Sequence, residues 1–431
     1  MSPAGAEGVE RHDPYSAMRS KNYRLFAVGF VCSSMGLQML GAAILWDVYV
    51  RTNDPLLVGL VGLCRALPVI MLALVAGHFI DTHDRRRLLV MTQTLFALAA
   101  LALAAASYFQ APLWTLYALT ILTAIARSFN GPTRNALLPQ LVPQGIFTNA
   151  VTWNSGLFQF AAVSGPLVAG TLMAWTGQAW PVYLITSVLC FVLAVASLKL
   201  EPITTRPPRP QAMTLVSMLA GMRHLYSEKT ILAAISLDLL AVLFGGATAL
   251  LPIFAKDILG VGAFGYGVLR ASPYVGALFM SLYLAYRPIR GKAGPALLWS
   301  VVVFGVSTII FGLSTSFWLS LAVLAVGGAA DTVSVVIRHV LVQLRTPEHL
   351  RGRVSAVNSV FIECSNELGA FESGLVAKWF GPVVSAVSGG VGTMLVVIGV
   401  SAAIPDIRRL DRLEPDKAPN QEPENESDRK V

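Results

Sequence analysis

Long apolar segments recur along the whole chain and are separated by short polar connections. A helix that crosses the hydrocarbon core of a bilayer needs about 20 apolar residues, and these segments have that length. The chain is 55% hydrophobic and 13% charged, whereas soluble domains average roughly 25% charged residues. This composition excludes a disordered chain, a collagen-like fibre and an ordinary soluble enzyme. We predict an all-α integral membrane protein with twelve transmembrane helices at 25–48, 56–80, 88–108, 112–134, 149–173, 180–199, 231–252, 264–286, 295–314, 317–338, 354–376 and 382–404.

A polar segment near the middle of the chain, 199–213, divides these helices six and six, and its proline and arginine content is typical of an exposed linker. An offset of 204 residues aligns identical residues in the two halves, among them Asn154 with Asn358 and Gly170 with Gly374. Such a repeat is typical of transporters built from two bundles related by a pseudo-two-fold axis. The predicted domains are an N-tail at 1–24, a six-helix bundle at 25–199, a linker at 200–230, a second six-helix bundle at 231–404 and a disordered C-tail at 405–431.

Lysine and arginine lie mostly on one side of the predicted membrane. Of 32 basic residues, 27 fall in the termini, the linker and the connections on one side, and only Arg51, Lys256 and Lys378 fall on the other. Basic connections stay in the cytoplasm, so we predict that both termini and the linker are cytoplasmic. The basic residues are scattered rather than clustered in a stripe, which favours contact with membrane lipids and excludes nucleic acid as a partner.

Signatures of cofactor or metal chemistry are missing from the sequence. The four cysteines lie inside apolar segments and have no CxxC spacing. Residues 260–265 fit the pattern GxGxxG but follow no predicted β-strand, and the chain has no P-loop and no hydrolase motif. We predict no cofactor, no metal site and no enzymatic activity.

The connection after the second predicted helix carries a motif. Its sequence GHFIDTHDRRR resembles the loop signature of the major facilitator superfamily, with four matching residues: Gly77, Asp81, Arg85 and Arg86. Thr82 and Asp84 depart from that signature. Together with NYRLFAVGF and PTRNALLPQLVP, the variant is similar to the bacterial branch that includes the enterobactin exporter and related efflux proteins. The resemblance covers essentially the whole transmembrane region and is silent about the substrate.

This resemblance implies the major facilitator fold, a monomer and the bacterial cytoplasmic (inner) membrane. It also implies that Asp81, Arg85 and Arg86 form a gating latch, which closes the cytoplasmic side of the outward-facing state. Gly77 permits close helix approach beside this latch. The alternative is that the arginines only fix topology and bind anionic lipid.

Four charged residues on helices four and ten are predicted to belong to the same gate. Arg134 and Arg338 end these helices and are the expected partners of the latch loops. Arg127 and Asp331 are equivalent under the 204 offset, and their depth predicts a cytoplasmic gate more than a substrate contact.

Helix five contains Gly165, Pro166 and Gly170, which are similar to part of the antiporter motif of the superfamily. Small residues and a proline produce a kinked, closely packed helix. Plain helix packing is the alternative interpretation, so this motif supports export only weakly.

Ionisable residues within hydrocarbon are costly, which makes each of them a candidate functional residue. Glu363 and Glu367 are four residues apart on one helix face, where two close carboxylates suit proton exchange. The alternative is a structural pair bonded to a nearby asparagine or arginine. Asp47 and Arg65 are a second candidate as an ion pair in the cavity, although Asp47 can also sit in outside water. The candidates for substrate or proton coupling are therefore Glu363, Glu367, Asp47, Arg65, Asp238 and Arg270.

These expectations predict a secondary active transporter that moves a small organic solute by alternating access in exchange for protons, as an efflux antiporter. One alternative is an importer driven by protons or sodium. Another is a receptor or assembly factor that has a transporter fold and no turnover.

Overall fold

The computed structural model describes residues 13–201, 222–223, 225–289 and 291–411, without the side chains of residues 74, 78, 81, 144, 349, 356 and 409. The first part of the predicted N-tail, most of the linker and the chain after residue 411 lie outside the described residues. The long helices are α1 (Lys21–Thr52), α2 (Pro55–Thr82), α3 (Arg85–Tyr108), α4 (Leu113–Leu137), α5 (Phe147–Thr176), α6 (Trp180–Leu198), α7 (Lys229–Phe244), α8 (Gly262–Tyr286), α9 (Ala293–Leu313), α10 (Phe317–Arg345), α11 (Glu348–Phe380) and α12 (Pro382–Ala403).

Polar residues set the limits of the first helices. The Ser20 side chain accepts a hydrogen bond from the Tyr23 amide at the start of α1, and Asn53 ends this helix in the left-handed region with φ 49°. The next residue, Asp54, caps α2 through the Leu56 amide, and Asp84 caps α3 in the same way. Short polar side chains satisfy the free amides of a helix N-terminus, so these connections need only two residues each.

Ten helices in the described part of the chain are long and apolar enough to cross a membrane. The helices α4 and α11 are not among them; α11 is longer than the predicted 354–376 and carries Glu348, Glu363, Glu367, Glu372 and Lys378 along its length. The prediction of an all-α membrane protein is confirmed. The number of twelve spans and the domain boundaries stay predictions.

The helices alternate in direction, so the bundle has two ends. We call the end where α1 starts and α12 finishes the linker end, and the opposite end the far end. In the first half α1 packs on α5 and α6, and α3 on α4 and α6; in the second half α8 packs on α10, and α9 on α10 and α12. The halves meet through α2 with α11 and α5 with α8.

The hydrophobic core is divided differently at the two ends. One large cluster crosses both halves at the far end and contains Ile44, Tyr183, Phe254, Tyr266 and Phe311, among others. At the linker end each half has its own cluster, one around Tyr23, Phe26 and Phe30 and the other around Ile231, Leu297 and Leu341. The halves are therefore packed into one core only at the far end.

The start of the predicted disordered C-tail is folded. Residues Asp406–Arg409 form a short helix, and the Gly294 amide at the start of α9 donates to the Leu410 carbonyl at 2.8 Å. Ile407 and Leu410 are buried in the linker-end cluster of the second half. These two apolar anchors explain why residues 406–411 are ordered in a segment that is otherwise polar.

Candidate functional site

An ion-pair cluster joins the two halves in the middle of the bundle. The Arg127 guanidinium on α4 lies 3.9 Å from Glu363 Oε1 and 3.9 Å from Glu367 Oε1 on α11. The Arg127 and Glu363 side chains are 52% and 42% exposed although both lie far from their helix ends, and Glu367 is 17% exposed. These side chains are therefore not enclosed by protein, and α4 and α11 are not packed along each other. The structure thus places Arg127 beside the predicted carboxylate pair, across the boundary between the halves.

Two further arginines meet close to this cluster. The Arg270 Nη2 and Arg65 Nη2 atoms lie 3.3 and 3.9 Å from the position that a Cβ atom of Gly41 would occupy on α1. Arg65 is ten residues from the far-end start of α2, which corresponds to a depth of about 15 Å and the middle of a bilayer. An arginine at that depth costs roughly 2.5–3.5 kcal/mol on insertion scales. The sequence alone gave no signal that Arg65 and Arg270 lie near each other.

Asp47 has a complete set of partners within the first half. Its carboxylate accepts hydrogen bonds from Arg51 Nε at 2.8 Å, Ser107 Oγ at 2.9 Å and Tyr183 Oη at 3.2 Å. The residue is 7% exposed. The predicted cavity ion pair with Arg65 is therefore replaced by an i,i+4 pair with Arg51, and Asp47 is enclosed rather than placed in outside water.

The second half contains a buried ion pair between Asp238 on α7 and Arg338 on α10. Both side chains are at most 5% exposed. Asp331 lies beside them, with Ser300 and Ser334 around the same small space. Losing one partner of a buried pair leaves an uncompensated charge and costs about 3–5 kcal/mol, so this pair fixes α7 against α10.

The equivalent arginine of the first half is held differently. The Arg134 guanidinium lies 4.6 Å from the centre of the Phe30 ring, a cation–π contact. The 204 offset places Ser34, not an acid, at the position that corresponds to Asp238. The predicted role of Arg134 and Arg338 as latch partners is thus accompanied by contacts inside their own halves.

The predicted latch residues Arg85 and Arg86 form hydrogen bonds within their own half in this conformation. Arg85 Nη1 donates to the Ala136 carbonyl at 3.1 Å, and Arg86 Nε donates to the Ser197 carbonyl at 2.8 Å. Both carbonyls belong to the last turns of α4 and α6, where a cation complements the helix dipole. Gly77 is in the last turns of α2, whereas the Asp81 side chain lies outside the described residues.

The helix-five motif lies at two helix crossings. A Cβ atom on Gly165 would be 2.7 Å from Gln38 Cβ on α1, and one on Gly170 would be 2.7 Å from Gly267 Cα on α8. Pro166 is buried beside the same crossing with α8. Close packing is therefore the structural role of the motif, and one of its two contacts joins the halves.

The far end is closed by polar contacts between the halves. Lys378 Nζ donates to Asp54 Oδ2 at 2.5 Å, Lys256 Nζ donates to Asn53 Oδ1 at 2.6 Å, and Tyr49 donates to Asp257. These contacts were not predicted from the sequence, although it contained a signal for them. The only three basic residues on this side were Arg51, Lys256 and Lys378, and each of them has a partner.

Asp54 titrates below its ordinary range. Partial burial, the largest single effect, raises the pKa of its carboxyl, but the Lys378 ammonium and the Leu56 amide together outweigh it. The pKa of Asp54 is therefore lowered, because these donors stabilise the charged form.

The described residues contain no group of three His, Cys, Asp or Glu side chains that could hold a metal ion. Cys32, Cys64, Cys190 and Cys364 are free thiols.

Comparison with protein families gives a match over nearly the whole chain. The model of the transmembrane secretion effector family matches residues 12–430. The chain belongs to this family of the major facilitator superfamily. The resemblance predicted from GHFIDTHDRRR, NYRLFAVGF and PTRNALLPQLVP is thereby confirmed.

Two relatives of this chain are enterobactin exporters. The chain is 24% identical to the enterobactin exporter of Shigella boydii serotype 4 over 91% of this chain and 93% of the exporter, and to that of Escherichia coli O139:H28 to the same extent. The family match and the long apolar helices identify this chain as a multi-pass membrane transport protein of the major facilitator superfamily.

Solved structures share the fold. A peptide-bound POT family transporter has a TM-score of 0.69 at 12% identity and covers 89% of this chain and 96% of its own. A bacterial homologue of the iron transporter ferroportin in its inward-facing state has a TM-score of 0.64 at 18% identity, with 90% and 100% covered. At these identities the likeness establishes the major facilitator fold alone.

Proposed function

We propose that this protein exports a small organic solute from the cytoplasm by alternating access, in exchange for protons. The observation that carries the proposal is the Arg127 contact with Glu363 and Glu367, which joins the two halves through side chains that protein does not fully enclose. The exporter relatives support the direction of transport. The linker end is assigned to the cytoplasm because it carries most of the basic residues.

The two carboxylates are the proposed proton carriers. Protonation neutralises Glu363 or Glu367 and removes its attraction for Arg127, so α4 and α11 can move relative to each other. Deprotonation restores the contact between the halves. Proton binding then shifts the balance between two conformations through its different affinity for each. The half-exposed position of this cluster gives protons a route from water.

The described conformation fits one state of this cycle. The far end is closed by the Asp54–Lys378 and Asn53–Lys256 contacts, and α4 and α10 are not packed along each other. We assign it to the state that is open to the cytoplasm. The contacts of Arg85 and Arg86 inside their own half agree, because the proposed latch closes only in the outward-facing state.

Inverted membrane vesicles test the proposal directly. A panel of fluorescent cations and catechol-type siderophores is added with an imposed pH gradient, and uptake into inverted vesicles reports export. We expect gradient-driven uptake of at least one compound. Glu363→Gln with Glu367→Gln should abolish the gradient dependence and retain solute exchange without a gradient, since exchange needs no net proton movement.

Matched variants separate coupling from general damage. Glu348→Gln removes an exposed carboxylate from the same helix, α11, and should behave like the wild type. Unchanged pH dependence in the Glu363→Gln and Glu367→Gln variants would show that protons are carried elsewhere. Accumulation by cells rather than depletion would identify an importer, and binding without flux would identify a receptor.

A further inference from the structure

The centre of the bundle carries more positive than negative charge. Arg65, Arg127 and Arg270 lie there with the two carboxylates Glu363 and Glu367, and the only ion-pair contacts within 4.0 Å among these described residues are those of Arg127. Glu367 attracts Arg65 only from a greater distance. Two guanidinium groups in the middle of the membrane are therefore without a carboxylate partner in the part of the chain that the structure describes.

These two arginines come from different halves and point to the same place. Their Nη2 atoms lie 3.3 and 3.9 Å from one point, the Cβ position of Gly41, so the separation between them is at most the sum of these distances. Like charges repel at this range, so their convergence is unfavourable without an anion between them. They are 205 residues apart, one more than the internal repeat, and they lie on corresponding helices of the two halves, α2 and α8.

Neighbouring side chains hold this arrangement in place. The Tyr266 hydroxyl on α8 donates to the Ala42 carbonyl on α1 at 3.0 Å, and its ring stacks on Trp46 at 5.2 Å. Tyr266 also interacts electrostatically with Arg270 and Arg65. These contacts fix α8 against α1 and thereby position Arg270 over Gly41, where the missing side chain leaves room for the guanidinium groups.

We propose that Arg65 and Arg270 together bind the oxyanion of an organic anion, a carboxylate or a phosphate group, with one guanidinium from each half. Guanidinium groups match such oxyanions with paired, charge-assisted hydrogen bonds. The inference rests on the proposed transport function, because it names the class of the exported solute. Because one arginine comes from each half, the affinity for the anion changes when the halves move relative to each other. Its export from a cell with a negative interior is also favoured by the membrane potential.

The binding experiment uses the purified full-length protein in detergent and measures its thermal unfolding. The probes are benzoate and phenyl phosphate, with benzamide as a neutral probe of the same shape, all at constant ionic strength set with NaCl. Saturating benzoate should raise the unfolding temperature by roughly 3 °C, because a ligand that binds only the folded state stabilises it. Benzamide should have no effect.

Single variants locate the site. Arg65→Gln and Arg270→Gln should each raise the half-maximal benzoate concentration about tenfold or more, the loss expected for hydrogen bonds to a charged group. Without ligand, each variant should be as stable as the wild type or more stable, since an unpaired charge has been removed. The control Arg19→Gln removes an exposed arginine whose partner is Asp13 and should retain the wild-type response.

Two results would overturn the assignment. One is equal stabilisation by benzamide and by the two anions. The other is a fall in stability of the ligand-free Arg65→Gln and Arg270→Gln proteins, which would identify these residues as structural partners.

A flux arm separates this inference from the proposed function. Fluorescein, an anion, or rhodamine 123, a cation with the same ring system, is added outside inverted vesicles, and its uptake is measured. Preference for fluorescein that is lost in Arg65→Gln supports the anion site. Anion binding without any flux would refute transport but keep the site, whereas flux of rhodamine 123 with no benzoate response would keep transport and refute the site.

Discussion

The two halves of the molecule meet as one packed core at the far end and as a loose ion-pair cluster in the middle. At the far end the shared hydrophobic cluster is continuous, and a Cβ atom on Gly374 of α11 would lie 2.7 Å from Gly59 Cα of α2. In the middle, Arg127 reaches its carboxylates only at 3.9 Å. At the linker end each half keeps its own core.

This difference indicates how many contacts between the halves must break when each end of the bundle opens. Opening the linker end leaves both separate cores intact, whereas opening the far end must part backbone contacts and three polar ties. Alternating access requires each end to open in turn. The far-end contacts therefore have to hold that end closed in one state and separate in the other. Close backbone packing between small residues suits this task, because it depends on shape rather than on charge.

The largest expected effect comes from blocking far-end closure. In Gly374→Leu the new side chain meets the α2 backbone and prevents α2 and α11 from closing. Transport should fall more than tenfold. In a background without the four native cysteines, Val58→Cys, buried at 1% exposure, should become reactive to an impermeant maleimide added at the far end.

The control for this variant is Gly156→Leu, since nothing lies within 4 Å of the Cβ position at Gly156. It should transport normally and leave Val58→Cys protected. Wild-type transport by Gly374→Leu would show that the glycine crossing is not needed for closure.

A smaller effect should follow from removing the middle cluster. Arg127→Gln leaves Glu363 and Glu367 near each other without the cation between them, so we expect about a tenfold loss of gradient-driven transport. Arg127→Lys keeps the charge and should retain part of it. Folding should be little affected because Arg127 is half exposed. If Arg127→Gln transports as well as the wild type, the cluster is not part of the cycle.

The sequence predicted the helices, the superfamily and the candidate residues more readily than their partners. Asp47 was paired with Arg65, but the i,i+4 residue Arg51 lies nearer on the same helix face. The contact of Arg127 with Glu363 depends on how α4 and α11 are rotated about their axes. Periodicity gives the face of a helix, whereas the neighbour it faces is set by tertiary packing.

The 204 offset had a further limit. It aligned α4 with α10 and α5 with α11, yet Arg65 and Arg270 are related by 205 residues. A shift of one residue turns a helix by about 100°, so a single offset could not bring these arginines together. The sequence also left open the partner of Asp238, which in the structure is Arg338 from α10.

Removing a polar contact at the far end should affect transport less than changing the Gly374 crossing or the Arg127 cluster. Lys378 is 45% exposed and Asp54 is 22% exposed, and exposed ion pairs contribute roughly 0.2–1 kcal/mol. Asp54→Asn should therefore shift the far-end equilibrium by no more than about fivefold, which is visible as faster maleimide labelling of Val58→Cys. Lys378→Gln should give the same shift, and the double variant should add nothing further. An additive double variant would show that the two residues act independently.

The smallest of these effects is expected from lowering the pH, which should leave the opening of the far end unchanged. The pKa of Asp54 is lowered, so its ion pair with Lys378 contributes fully above the ordinary aspartate range and is lost only as the pH falls through the lowered value. Between pH 8 and pH 5 the labelling of Val58→Cys, normalised to the exposed far-end position Thr315→Cys, should stay constant. A far end that opens with a midpoint between pH 5 and pH 8 would instead place the proton-sensitive contact at the closed end of the molecule.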